Sequence, residues 1–106
     1  MSDLVKLCSV SDVIDDEPRR VVIEDFPPLA IYRVDGAIYV TDDTCTHGMA
    51  SLAEGYLDGE EIECPFHGGA FNVKTGEPTA FPCAEALKTY SAILQDGDIY
   101  IQRPSG

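Results

Sequence analysis

No basic residue lies between Arg33 and Lys74, and the whole chain carries only seven bases against nineteen acids. A net charge of −12 repels nucleic acid and anionic lipid, which excludes nucleic-acid binding as a function. Long apolar runs are missing too: no stretch approaches the ~20 residues of a membrane span. The first residues, Met1-Ser2-Asp3-Leu4, have neither the basic nor the apolar segment of an export signal, so the expected location is cytoplasmic. In a reducing cytosol the four cysteines read as thiols or ligands rather than disulfides. Histidine is scarce, with His47 and His67 the only two. At 106 residues the chain is expected to form one domain, 1–106, with a modest core and no room for a second catalytic lobe.

The two histidines stand beside two of the cysteines. Cys45-Thr46-His47 is followed, after sixteen residues from Gly48 to Glu63, by Cys64-Pro65-Phe66-His67. Each pair sets one thiol and one imidazole within two or three residues, so a short loop can aim both at one metal centre. The C-x-H step is tighter than the steps of structural zinc sites, and the cysteines fall in different pairs, so a Cys2His2 finger fits poorly. A cluster matches better.

C-x-H, about sixteen residues, then C-x-x-H resembles the Rieske 2Fe-2S proteins, where two His replace two Cys on one of two irons. Flanking residues extend the likeness: Gly48 after the first pair, Gly55-Tyr56-Leu57, Gly68-Gly69-Ala70-Phe71 after the second, and Thr75-Gly76-Glu77-Pro78. Over roughly residues 31–102 the chain is similar to the small ferredoxins that feed bacterial aromatic-ring-hydroxylating dioxygenases. The resemblance implies one Rieske-type 2Fe-2S cluster, with Cys45 and Cys64 on one iron and His47 and His67 on the other. Neutral imidazoles leave the oxidised cluster uncharged, which eases uptake of an electron and raises the potential.

Secondary-structure signals are mostly β. Leu29, Ile31 and Arg33 alternate with Ala30, Tyr32 and Val34, and Asp35-Gly36 turns the chain into Ala37–Val40, a hairpin pattern. Asp96-Gly97 is read as joining a strand over Lys88–Leu94 to another over Asp98–Gln102, and Asp58-Gly59 precedes a short strand ending before Cys64. Val5–Cys8 and Val21–Ile23 are further strands, and Ser9–Ile14 is one helical turn capped by Ser9 or Ser11. The expected class is all-β, and the resemblance implies an antiparallel β-sandwich base carrying an inserted cluster-binding lobe at about 44–72.

Several other residues attract attention. Gly48, Gly68 and Gly69 suit loops that pack closely around sulfides, or serve as ordinary turns. Either Pro78 or Pro82 belongs to the loop that covers the cluster in the family. Met49, Phe66, Phe71 and Phe81 either shield the cluster or, by default, pack in the core, Cys8 is a small buried hydrophobe, and Cys83 sits in a proline-flanked loop. High-potential Rieske proteins carry a disulfide where this chain has Ala50 and Phe66, and hydroxyl donors where it has Gly69 and Phe71. Those departures imply a potential near the low end of the Rieske range, about −150 mV.

The resulting expectation is a monomeric one-electron carrier, reduced by an NADH-dependent flavoprotein ferredoxin reductase and oxidised by a terminal Rieske non-haem iron oxygenase. With both histidines committed to the cluster, no 2-His-1-carboxylate iron site can be assembled, which argues against the oxygenase itself and against an enzyme. A ferredoxin of a di-iron monooxygenase or a small reductase subunit would share the cofactor. A zinc-stabilised protein-binding module is the alternative of another class. The acids Asp35, Asp42, Asp43, Glu54, Asp58, Glu60, Glu61 and Glu63 surround the ligand positions and serve either docking to a basic surface or solubility.

Overall fold

The computed structural model describes residues 4–15, 17–24, 26–46, 50–65, 69–81 and 85–102. Among them there is no α-helix, and the named strands pair antiparallel throughout. The strands are β1 (Leu4–Ser9), β2 (Arg19–Val21), β3 (Leu29–Val34), β4 (Ala37–Asp42), β5 (Tyr56–Asp58), β6 (Glu61–Glu63), β7 (Ala70–Asn72), β8 (Pro78–Ala80), β9 (Thr89–Tyr90), β10 (Ile93–Gln95) and β11 (Asp98–Gln102). They form three sheets, ordered β1-β11-β10, β2-β3-β4-β9 and β5-β6-β7-β8.

The middle sheet explains the layering. Successive side chains of a strand point to opposite faces. Leu29 and Ile31 of β3, with Ile38 and Val40 of β4, therefore pack on Ile99 and Ile101 of β11 to make the base core. Ala30, Tyr32 and Val34 point the other way and join Leu52, Leu57, Ile62, Phe71, Val73 and Leu87 in the lobe core. A strand covered on both faces is continuously apolar, as Leu-Ala-Ile-Tyr is. Arg33 shares the register of Leu29 and Ile31, and there its guanidinium donates to the carbonyls of Val13 (2.7 Å) and Val10 (2.8 Å).

Turn chemistry appears where the sequence placed it at two hairpins, and at a third the turn expected at Asp58-Gly59 lies one residue later. Asp35 (φ 52°) with Gly36 (φ 81°), and Asp96 (φ 53°) with Gly97 (φ 81°), have the paired positive φ of type I′ hairpins. At the third hairpin the register Asp58↔Glu61 makes Gly59-Glu60 the two-residue loop, with Gly59 at φ 62°. The helical turn is a 3-10 turn at Val10–Asp12 behind Ser9, whose N–H donates to Asp12 Oδ2 at 3.2 Å.

Three expectations change. The strand read over Lys88–Leu94 is two strands: β9 pairs with β4 (Tyr90↔Val40), then the chain changes sheets at Ser91-Ala92 and β10 pairs with β11 (Ile93↔Tyr100). Two faces served in succession leave one apolar-rich run in the sequence. The strand read at Val21–Ile23 lies two residues earlier, because Arg19, Arg20 and Val21 pair with Ile31, Ala30 and Leu29, and Val22 is exposed. The third sheet runs past Asn72 to Ala80, since β8 pairs with β7.

Candidate metal centre

Cys45 and Cys64 each open a loop beyond a strand. Cys45 follows β4, and its N–H donates to the Ala50 carbonyl at 3.0 Å; Cys64 follows β6, and its N–H donates to the Gly69 carbonyl at 2.6 Å. Each cysteine thus opens a loop that the backbone closes five residues later, so the two motifs that looked alike in sequence share a closure in space. Both thiols are nearly enclosed, at 2% and 3% exposure, and both belong to the lobe core with Ala50, Leu52, Leu57 and Phe71. His47 and His67 lie outside the described residues, as do Gly48, Met49, Phe66, Gly68, Pro82 and Cys83.

The stems of both loops are held by local chemistry. The hairpin β5–β6 aligns Leu57 with Ile62 and delivers Cys64. At Gly55 an added Cβ would collide with the Glu63 carbonyl, so only glycine allows the chain before β5 to cross so close to β6. Thr46 Oγ1 donates to the Glu85 carbonyl at 2.8 Å, tying the first loop to the segment after β8.

Asp43 is the residue that sequence reasoning placed wrongly. Counted among the acids of an exposed lobe, it is 1% exposed. Its Oδ2 accepts from Ser51 Oγ (2.6 Å) and from Arg20 Nε (3.1 Å), and its Oδ1 accepts from the Ala53 N–H (2.9 Å). Its backbone donates to Pro28 O (2.9 Å) and accepts from Leu52 N–H (2.7 Å). Strand period was the available signal: Asp43 shares the lobe-facing register of Tyr39 and Thr41, whereas Ile38 and Val40 face the base.

The acidic surface is accordingly smaller than the sequence count. Glu60 accepts from Asn72 Nδ2 (2.8 Å) and is paired with Lys74 (Nζ to Oε2, 3.3 Å), and the two hold its carboxyl below its ordinary value. Asp42 accepts from Tyr90 O–H at 2.7 Å. Glu54, Asp58, Glu61 and Glu63 remain exposed on the lobe. Glu54 and Glu63 rim a groove of about 280 Å³ that also includes Tyr56, Cys64 and Pro65.

Other expectations divide. Phe71 is fully buried, but Phe81 is 91% exposed and belongs to no core, because β8 is an edge strand that ends at Ala80. Pro78 sits in β8 opposite Phe71. Cys8 is half-buried against the base core, and that burial pushes its thiol up from the ordinary value.

The donor set fits an iron–sulfur cluster. Two soft thiols belong to one buried apolar cluster, and burying two thiolates there without a cation would be costly. Residues 3–91 match the family model "Rieske [2Fe-2S] domain". The chain is 50% identical over 97 residues to ferredoxin CarAc of Metapseudomonas resinovorans, covering 92% of this chain and 91% of that protein. Among solved structures, the Sphingomonas yanoikuyae B1 ferredoxin superposes with a TM-score of 0.93 at 51% identity, over 94% of this chain and 98% of that one. The ferredoxin in a complex of reduced oxygenase and oxidised ferredoxin in carbazole 1,9a-dioxygenase superposes with a TM-score of 0.89 at 48% identity, over 96% and 94%. Matched along most of its length and through both cysteine loops, the chain belongs to the Rieske [2Fe-2S] domain family.

Proposed function

We propose that this protein is the ferredoxin of an aromatic-ring dioxygenase system, carrying one electron at a time from an NADH-dependent flavoprotein reductase to a terminal oxygenase. One observation carries the reading: two enclosed cysteines of identical loop closure sit on an acidic lobe in a chain that matches dioxygenase ferredoxins nearly end to end. Cys45 and Cys64 would hold one iron as thiolates, and His47 and His67 the other. Bound there, a Rieske 2Fe-2S cluster supplies reversible one-electron uptake. The chain's own part is to bind and enclose. Leu52, Leu57, Ile62 and Phe71 exclude water around the cysteines, and each loop is closed at its stem by a backbone hydrogen bond from its cysteine. Exposed Glu54, Asp58, Glu61 and Glu63 offer a basic partner surface a complementary face. Its relatives are named as ferredoxins and ferredoxin components of dioxygenase systems, which supports a role as an electron-transfer component rather than a catalyst. One domain, a monomer and a cytoplasmic location complete the proposal, and a radius of gyration of 13.0 Å supports the first, being close to the ~13 Å of a 100-residue domain.

The test is spectroscopic and kinetic. Anaerobically purified protein should be red-brown and bleach on reduction, and the reduced form should be reoxidised rapidly by a dioxygenase terminal component. His67→Ala should abolish the Rieske-type reduced spectrum, whereas Cys8→Ser should keep it. A colourless, redox-silent protein containing zinc would overturn the reading in favour of a structural module.

A further inference from the structure

Asp43 brings a full negative charge into the protein interior two residues before Cys45. Along the chain that separation spans at most about 7 Å between Cα atoms. Its carboxylate accepts three hydrogen bonds, and two of the donors, Ser51 Oγ and the Ala53 N–H, lie on the far side of the loop that Cys45 opens. Its backbone holds the same two walls through Pro28 and Leu52, and Thr44 bridges to Ser51 just beyond. The third donor, Arg20, comes from β2 of the base and supplies the balancing charge, its side chain 51% exposed against 2% for Asp43.

We propose that Asp43 is the positioning residue of the first ligand loop, and that the Asp43–Arg20 pair sets the electron affinity of the group held by Cys45. The proposal rests on Cys45 being a ligand. A buried carboxylate so near a redox centre opposes the arrival of another negative charge, and a guanidinium favours it. The effect of the enclosed Asp43 is little screened, whereas that of the half-exposed Arg20 is weakened by solvent. Stability and potential therefore respond differently to the two partners. Loss of either end of the pair weakens the tie between lobe and base, but loss of Asp43 removes a negative charge and loss of Arg20 a positive one.

The experiment measures midpoint potential at fixed pH, with thermal unfolding in parallel, on cluster-loaded parent, Asp43→Asn, Arg20→Gln and the double variant. Asp43→Asn should raise the ratio of reduced to oxidised protein at a given potential about tenfold, which is 59 mV for one electron. Arg20→Gln, half-exposed, should lower it about threefold, and the double variant should return toward the parent. All three should unfold at lower temperature than the parent. Shifts of the same sign in the two single variants, or no shift in Arg20→Gln, would overturn the proposal. Should Asp43→Asn fail to fold, Arg20→Gln decides alone, since it leaves the Ser51 and Ala53 bonds in place. Absence of a Rieske-type spectrum in the parent, or its survival in Cys45→Ser, would instead defeat the ligand assignment on which the proposal stands.

Discussion

Tyr32 shows what a single buried polar group does in this core. Its side chain is fully enclosed beneath the lobe, and its O–H lies 2.9 Å from Thr41 Oγ1. Thr41 spends its one hydroxyl proton on the Asp42 carbonyl at 2.8 Å, so Tyr32 is the donor of the pair. Tyr32→Phe keeps the ring and deletes one hydrogen bond, for an expected loss of about 1 kcal/mol in chemical denaturation at neutral pH. Burial raises the Tyr32 phenol above its ordinary value of 10.0. A group that holds its proton more tightly when folded contributes stability that is complete below the unfolded value and lost as pH rises above it. Alkaline unfolding above pH 10 should thus be shallower in Tyr32→Phe than in the parent. Phe71 permits a test of a different kind. It is fully buried in the same cluster as Cys64, and Phe71→Tyr introduces a hydroxyl there. Donation toward the cluster favours the more negative reduced state, so voltammetry should show a rise of about 60 mV for a tenfold preference.

Among the elements, the turn after β7 carries most of the burden of joining the lobe to the chain that leaves it. Gly76 has φ 81°, its N–H donates to Asn72 O (2.7 Å), and its carbonyl accepts from Leu87 N–H (2.7 Å). A Cβ there would meet the Leu87 carbonyl, so Gly76→Ala suffers both backbone strain and a collision with backbone. The expected cost is about 1–3 kcal/mol, read as a lower urea midpoint with the slope unchanged. On the neighbouring β6–β7 pair, Asn72 and Lys74 lower the Glu60 carboxyl, and Glu60 raises the Lys74 ammonium. A lowered carboxylate contributes stability present above its unfolded value near 4.5 and lost as pH falls through the native value. A raised ammonium contributes below 10.5 and loses that contribution as pH climbs further. Thermal midpoints of Glu60→Gln and the parent should therefore differ between those limits and converge under acid conditions.

At the level of the whole molecule the charge distribution bears on encounters with a partner. Among the described residues, the base ion-paired to an exposed acid of the lobe is Lys74, engaged by Glu60. Second-order electron-transfer rates to a basic partner should fall as salt rises from about 10 to 200 mM, where the screening length contracts from about 30 Å to under 10 Å. Glu61→Gln with Glu63→Gln should flatten that dependence, while Glu60→Gln should do so less. Rates independent of salt in the parent would mean that the acids serve solubility alone.

Much of this protein is determined locally and so can be read along the chain. The I′ turns at Asp35-Gly36 and Asp96-Gly97 depend on φ > 0 at adjacent residues, a property of those residues themselves. The all-β class and the two cysteine motifs likewise depend on spacing, which sequence preserves. What tertiary structure alone decided depends on which face meets which layer. The run 88–94 serves two sheets in turn, a division that no local signal marks, because pairing partners lie some fifty residues away in β4 and beside it in β11. Asp42 and Asp43 are identical neighbours in sequence, yet one accepts from Tyr90 at the base side and the other is enclosed against Ser51, Ala53 and Arg20. Strand alternation sends their side chains to opposite faces, and only the packing of the lobe on one of those faces makes the second a buried charge.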